Sequence, residues 1–193
     1  VDVVSFDGRE PDELLRIAAC LEEHFPHSMA KAVVKSAIEK NLQHDEMHTK
    51  VEYLVAHGIS TTINDVRVII GSYHFIFEDE KCIIPEGKEA LFESLPPEYS
   101  QLYLAIDGKL AAVICIEDPV RQEAQAVVNS LRKAGLSKIV MMTGDSERTA
   151  SAIAKKVGVD EYYSEVLPED KASFVEAEKA KGRKVIMIGD GIN

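Results

Sequence analysis

The chain has 193 residues, which is enough for one large domain or two modest ones, and its hydrophobic content of 46% is ordinary for a globular protein. The formal net charge of −11 argues against nucleic acid as a partner, and equally against binding to anionic membrane surfaces. Three widely spaced cysteines, Cys20, Cys82 and Cys115, indicate neither a disulfide framework nor a Cys-x-x-Cys metal site. They favour a reducing, cytosolic compartment.

We expect neither a membrane-spanning segment nor a signal peptide in this sequence. The longest apolar stretch, residues 110–116, is too short to cross a bilayer, and residues 1–7 lack the features of a signal peptide. The last residue, Asn193, follows a glycine-rich segment with no closing element. We therefore expect this polypeptide to be a soluble piece of a longer protein, without direct insertion into the membrane.

The pattern of apolar residues changes twice along the chain. It has helical spacing over residues 14–21 and 29–38, on either side of Pro26. It then alternates with a period of two, around turns at Asn64-Asp65 and Asp107-Gly108. This middle part predicts two hairpins and two short helices: hairpins over 59–63/66–70 and 101–106/109–116, and helices over 73–80 and 86–93.

From Asp118 onward, helices and strands alternate, which is typical of half a Rossmann-like sheet. The predicted elements are helix 121–133, strand 138–142, helix 146–157, an extended piece near 162–163, helix 169–181 and strand 184–188. The sequence thus predicts an α/β protein with two domains. An α+β domain with an antiparallel sheet would occupy residues 1–117, and a parallel-sheet domain residues 118–193, with Asp118-Pro119 as hinge.

Three motifs carry residues suited to phosphate and metal chemistry. Thr143-Gly144-Asp145 follows one apolar run, and Gly189-Asp190-Gly191 follows another, so both are expected at the carboxyl edge of the sheet. The Thr143 hydroxyl and Gly144 amide could donate to a phosphate oxygen, and Asp190 could bind magnesium. Lys171, one turn into the helix begun by Pro168, could neutralise phosphate charge.

Each motif also has a purely structural interpretation. Thr143-Gly144-Asp145 could be turn chemistry, with Asp145 or Ser146 capping the next helix. Gly189-Asp190-Gly191 could be an acidic turn, and an exposed Lys171 could be a solvated charge. The combination of all three motifs favours the phosphate-binding interpretation.

Taken in order, four motifs resemble the phosphorylation domain of P-type ATPases, which belongs to the haloacid-dehalogenase-like fold. They are Asp118-Pro119-Val120-Arg121, Thr143-Gly144-Asp145, Pro168-x-x-Lys171 and Gly189-Asp190-Gly191-Ile192-Asn193. The resemblance implies that Asn193 hydrogen-bonds at the phosphate. It also implies that Asp118, Arg121 and Asp145 lie at a domain interface.

Residues 1–117 resemble the nucleotide-binding domain of the heavy-metal-transporting branch, which carries Ser-Glu-His-Pro-Leu-Ala-x-Ala-Ile-Val. Here Phe25–Val34 aligns without gaps, so that His27 falls on the family histidine and Glu22 on a preceding acidic residue. Ser28 replaces the usual proline, and Pro26 precedes the histidine, which leaves His24 as the alternative. The family's glycine pair before a strand becomes Ala56-His57-Gly58, so only Gly58 carries over, and Gly71 matches the family's later adenine-side glycine.

The resemblance implies the ATP-binding part of a cation-exporting pump, with ATP and Mg²⁺ as cofactors and the pump's transmembrane and actuator domains as partners. The family's phosphorylated aspartate lies in Asp-Lys-Thr-Gly-Thr, which does not occur in residues 1–193. We therefore expect these residues alone to be inactive. The alternatives are a haloacid-dehalogenase-like phosphatase with residues 1–117 as its cap, and a non-enzymatic nucleotide-binding module.

Overall fold

The computed structural model describes residues 1–23, 28–42, 51–54, 58–117 and 120–189, which form a mixed α/β fold. Its strands are β1 (Asp2–Ser5), β2 (Val51–Leu54), β3 (Gly58–Ile63), β4 (Val66–Gly71), β5 (Ser100–Ile106), β6 (Lys109–Ile116), β7 (Val140–Met142) and β8 (Glu161–Tyr163). Its helices are α1 (Pro11–Glu22), α2 (Ser28–Glu39), a π-helix (His74–Asp79), α3 (Glu89–Glu93), α4 (Ala124–Lys133), α5 (Glu147–Val157) and α6 (Pro168–Ala180).

Six strands form one antiparallel sheet in the order β1-β6-β5-β4-β3-β2. Both predicted hairpins, β3–β4 and β5–β6, are confirmed. At their turns Asn64, Asp65, Asp107 and Gly108 have positive φ angles of 49°, 62°, 52° and 72°. Two successive residues with positive φ give the turn a twist that matches the flanking strands, which explains why Asn-Asp and Asp-Gly form tight hairpins here.

The two edge strands, β1 and β2, were not predicted. Each is only four residues long, and each is positioned by a partner, β6 for β1 and β3 for β2. The β1–β6 pair joins residues more than a hundred positions apart, such as Val3 and Ile114. Pairing over such a separation leaves no local sequence signal, and so the pattern of residues 2–5 alone did not disclose a strand.

Each face of the large sheet is covered by its own apolar cluster. On one face α1 and α2 pack through the predicted helical stripes, in which Leu14, Ala18, Leu21, Val33 and Ala37 are all fully buried. On the other face the π-helix and α3 contribute to a cluster that combines aliphatic and aromatic side chains. That cluster contains Phe6, Phe75, Tyr103, Tyr73, Phe77 and Phe92.

The second sheet is small and parallel, as expected for the C-terminal part. β7 pairs with β8 in register Val140 with Glu161 through Met142 with Tyr163. Ser146 caps α5 by accepting a hydrogen bond from the Thr149 amide, and Gly158 ends that helix in the left-handed region at φ 80°. No helix in the described ranges is both long and apolar enough to span a membrane.

The predicted strand over residues 184–188 is wrong. These residues have no regular secondary structure, and β7 and β8 make up the whole of the small sheet among the described residues. Ile186 and Ile188 are 72% and 79% exposed. An apolar run becomes a strand only where a neighbouring strand accepts its backbone hydrogen bonds, and none of the described residues supplies one here.

Candidate phosphate and nucleotide sites

The loop Thr143–Asp145 extends the pairing of β7 and β8 beyond the end of the sheet. The Thr143 amide donates to the Tyr163 carbonyl at 3.0 Å, and the Val166 amide donates to the Thr143 carbonyl at 2.9 Å. The loop is therefore held at the carboxyl end of β7, which is the edge where open α/β sheets place ligands.

The side chains of this loop bind each other. The Thr143 hydroxyl donates to Oδ2 of Asp145 at 2.7 Å, and the Asp145 amide donates back to Oγ1 of Thr143 at 3.1 Å. Together with the Ser146 cap, this is the turn chemistry that we considered as the structural interpretation of the motif. A role in phosphate binding remains a prediction for Thr143, and a role at a domain interface remains one for Asp145.

Gly144 is a glycine that the fold itself does not require. It is exposed, and its backbone is not in the left-handed region. A Cβ atom built at this position would meet only the Val166 carbonyl oxygen, at an ordinary contact distance of 3.9 Å. An exposed glycine without a conformational or packing reason fits a position where a ligand approaches the backbone closely.

Lys171 and the end of β7 share a groove of about 960 Å³. The groove lies between β7, α6 and residues 183–188, and its lining includes Met142, Lys171 and Ile188. Its charged lining residues are Lys138, Lys171, Arg183, Lys184, Asp160, Glu161 and Glu178. Lys138 pairs with Glu161 at 2.7 Å, and Arg183 pairs with Glu178, so these charges offset each other within the groove. Lys171 is the lining residue that comes from one of the three predicted phosphate motifs.

The remaining residues of the predicted phosphate site cannot be placed in this groove. Asp190, the predicted magnesium ligand, and Asn193 lie outside the described residues. Within those residues, no group of three or more His, Cys, Asp or Glu side chains could hold a metal ion. Arg121 is exposed ahead of α4, where its carbonyl accepts from the Ala124 amide, and Asp118 lies outside the described residues.

Gly58 and Gly71, the two predicted adenine-side glycines, lie directly opposite each other on β3 and β4. The structure supplies a packing reason for the first of them. A Cβ atom on Gly58 would lie 2.5 Å from the Ile70 carbonyl oxygen and 2.6 Å from Cε1 of Phe75. Sequence analysis missed this reason, because no pattern indicated that the Phe75 ring covers β3.

Glu22 is the last residue of α1 and is only 2% exposed. Carboxylates are rarely buried to this extent, because the charge loses its hydration, and a buried acidic side chain is therefore a candidate for a binding role. His27, the predicted adenine-side histidine, and His24, the alternative, both lie outside the described residues.

The sequence matches the family of haloacid dehalogenase-like hydrolases over residues 9–193. The chain therefore belongs to that family. Among curated proteins it is similar to Copper-transporting ATPase 2 of Rhizobium meliloti (strain 1021), with 35% identity over 198 residues, which covers all of this chain and 23% of the relative. It is also 35% identical over 184 residues to the Zinc-exporting P-type ATPase of Mycobacterium marinum, covering 95% and 25% respectively.

Solved structures of P-type ATPase domains are also similar to this chain. The catalytic domain of the CPx-ATPase CopB-B superposes with a TM-score of 0.68 at 25% identity, covering all of this chain and 64% of that one. The N-domain of HMA8, a copper-transporting P-type ATPase, superposes with a TM-score of 0.53 at 25% identity and covers 61% of this chain. The chain thus resembles the catalytic region of metal-transporting P-type ATPases, and it spans about a quarter of the length of its curated relatives.

Proposed function

We propose that this chain is the ATP-binding and phosphate-handling part of a cation-exporting P-type ATPase. In the whole protein, ATP hydrolysis through an aspartyl phosphate would drive export of a transition metal. One observation supports the proposal for the site: Lys171 and Met142, the last residue of β7, line the same groove, which brings a positive charge to the carboxyl end of β7. Transfer of a phosphoryl group needs such neutralisation of charge around the phosphate oxygens.

We assign the nucleotide and phosphate functions to two domains, residues 1–117 and 118–193. The six-stranded sheet ends at Ile116, and the parallel pair begins only at Val140. The similarity to the HMA8 N-domain covers 61% of the chain, and 117 residues are about 61% of 193. This agreement in length supports the assignment, with the Asp118-Pro119 segment as hinge.

On this proposal each predicted residue has a definite task. On the nucleotide side, Glu22, His27, Gly58 and Gly71 would surround the adenine. On the phosphate side, Thr143, Gly144, Lys171 and Asn193 would donate to phosphate oxygens, while Asp118, Arg121 and Asp145 would lie where the domains meet.

Mg²⁺, held in part by Asp190, would neutralise charge on the phosphate. The acceptor aspartate would be supplied by an Asp-Lys-Thr-Gly-Thr segment of the whole pump, whose transmembrane and actuator domains are the expected partners.

A labelling experiment tests the proposal. In a longer protein that includes the Asp-Lys-Thr-Gly-Thr segment, γ-labelled ATP should give an acid-stable, hydroxylamine-labile phosphoenzyme, because covalent catalysis needs that nucleophile. Asp190→Ala should abolish the label and leave ATP binding largely intact, since the adenine side lies in the other domain. Residues 1–193 alone should take up no label.

Two outcomes would count against the proposal. Labelling that persists in the Asp190→Ala variant would remove Asp190 from the phosphate site. Release of phosphate from small phosphoesters, without formation of a phosphoenzyme from ATP, would instead identify a haloacid-dehalogenase-like phosphatase with residues 1–117 as its cap.

A further inference from the structure

The first turn of α5, which follows directly on the Thr143–Asp145 loop, is attached to the large sheet. Thr149 is 1% exposed, and its hydroxyl donates to the Tyr99 carbonyl at 3.3 Å, immediately before β5 begins. The Thr149 hydroxyl also accepts from the Ser146 hydroxyl at 3.3 Å, while the Thr149 amide donates to Oγ of Ser146. One buried side chain therefore joins the cap of α5 to the residue just before β5, fifty positions away in the sequence.

Arg148 makes a second connection, to Phe92, which packs against the same apolar cluster of the large sheet as Tyr99. Its guanidinium donates to the Phe92 carbonyl at 3.3 Å, in the last turn of α3. That carbonyl already accepts from the Leu95 amide at 3.2 Å, so Arg148 is a further donor to it, at a helix C-terminus where a cation is favourable. The Phe92 ring packs against Phe6, Phe77 and Tyr103, with centroid distances of 6.1, 5.8 and 6.2 Å, so this carbonyl belongs to a well-packed part of the molecule.

The loop is supported from its other side by Glu165. The Glu165 amide donates to the Asp145 carbonyl at 2.9 Å, and Glu165 has a left-handed φ of 54°. Burial raises the pKa of its carboxyl group above the ordinary value, and the charges of Glu78 and Glu147 raise it further, while His74 lowers it. His74 and Glu78 belong to the π-helix, so the charges that act on Glu165 include side chains of the helix that covers the large sheet.

We propose that Arg148 and Thr149 are positioning residues that hold the Thr143–Asp145 loop next to the end of α3 and the start of β5. We call their two hydrogen bonds, to the carbonyls of Phe92 and Tyr99, the α5 anchor. It connects the phosphate-side loop to the nucleotide-side sheet. The assignment of ligands to the loop and the sheet rests on the proposed function, but the anchor itself does not.

Hydrogen exchange of residues 1–193 tests the anchor without any activity. Thr149→Val keeps the shape of the side chain and removes the hydroxyl, so amides of residues 143–150 should exchange ~3- to 10-fold faster, the scale of one lost hydrogen bond. Thr149→Ser keeps the hydroxyl and should exchange close to the wild-type rate. Arg148→Met keeps the apolar stem and removes the other hydrogen bond, so it should give a similar local increase in exchange. It tests the anchor independently if the Thr149→Val variant does not fold.

Exchange in β3 to β6 should stay unchanged in all three variants. Equal exchange of residues 143–150 in the wild type and both the Thr149→Val and Arg148→Met variants would overturn the anchor. An increase in exchange spread evenly over β3 to β6 would also overturn the anchor, because it would mean general destabilisation.

The anchor also has a kinetic consequence in the longer, phosphorylation-competent protein. Thr149→Val should lower the maximal rate of phosphoenzyme formation several-fold and leave KM for ATP unchanged, and Thr149→Ser should restore the rate. The two proposals can fail separately. Faster exchange with no phosphoenzyme in the wild type would retain the anchor and reject the proposed function, whereas normal labelling with unchanged exchange would reject only the anchor.

Discussion

Replacing Gly58 by Ala should lower the free energy of unfolding by about 1–3 kcal/mol, which is the usual cost of overpacking a filled core. The added methyl group would lie 2.5 Å from the Ile70 carbonyl oxygen and 2.6 Å from a Phe75 ring carbon. Phe75 is 1% exposed, and so its ring has little room to move away. Urea denaturation followed by far-ultraviolet circular dichroism would measure the loss.

Gly144→Ala is the matched control for Gly58→Ala. At position 144 the nearest atom to a new Cβ is 3.9 Å away, and the free energy of unfolding should therefore change by no more than about 0.5 kcal/mol. If both substitutions destabilise the chain equally, the close packing of Phe75 over β3 is not what requires Gly58.

The second large effect is expected at Lys171. In the longer protein that forms a phosphoenzyme, Lys171→Ala should slow phosphorylation by about 10²–10³-fold, the usual cost of removing one group that stabilises transferred charge. ATP affinity should change little, because the proposed function assigns the adenine to the six-stranded sheet. Rapid-quench measurement of labelled phosphoenzyme, together with calorimetry of ATP binding, separates the two effects.

Lys179→Ala provides the control on the same helix. The Lys179 side chain is 57% exposed and pairs with Glu176 at 3.4 Å, which is a surface ion pair of small energetic value. Its loss should leave the phosphorylation rate unchanged. Equal slowing in the two variants would show a general effect of charge on α6, and would remove Lys171 from the site.

Local signals in the sequence predicted local structure well. The hairpin at Asp107-Gly108, the apolar stripe of α1 and the end of α5 at Gly158 all follow from the conformational preferences of neighbouring residues. The prediction failed where a structure depends on distant partners. β1 exists because β6 pairs with it, and residues 184–188 are not a strand because no described neighbour pairs with them.

The candidate site shows the same division. The combination of three motifs predicted that Lys171 and the loop after β7 belong to one phosphate site. That site stays a prediction, and what the structure adds is that Lys171 and Met142, the last residue of β7, line one groove. It did not predict the packing requirement at Gly58 or the α5 anchor. Both depend on groups from other parts of the chain, the Phe75 ring in one case and the backbone carbonyls of Phe92 and Tyr99 in the other.

Calorimetric titration of residues 1–193 with ATP and Mg²⁺ tests the central claim most directly. We expect saturable binding without hydrolysis, and a binding free energy weakened by about 1–2 kcal/mol in His27→Ala, the scale of one lost buried hydrogen bond. A loss in His24→Ala but not in His27→Ala would move the adenine-side histidine to position 24. A wild-type chain that binds no ATP, or that hydrolyses it rapidly on its own, would contradict the account.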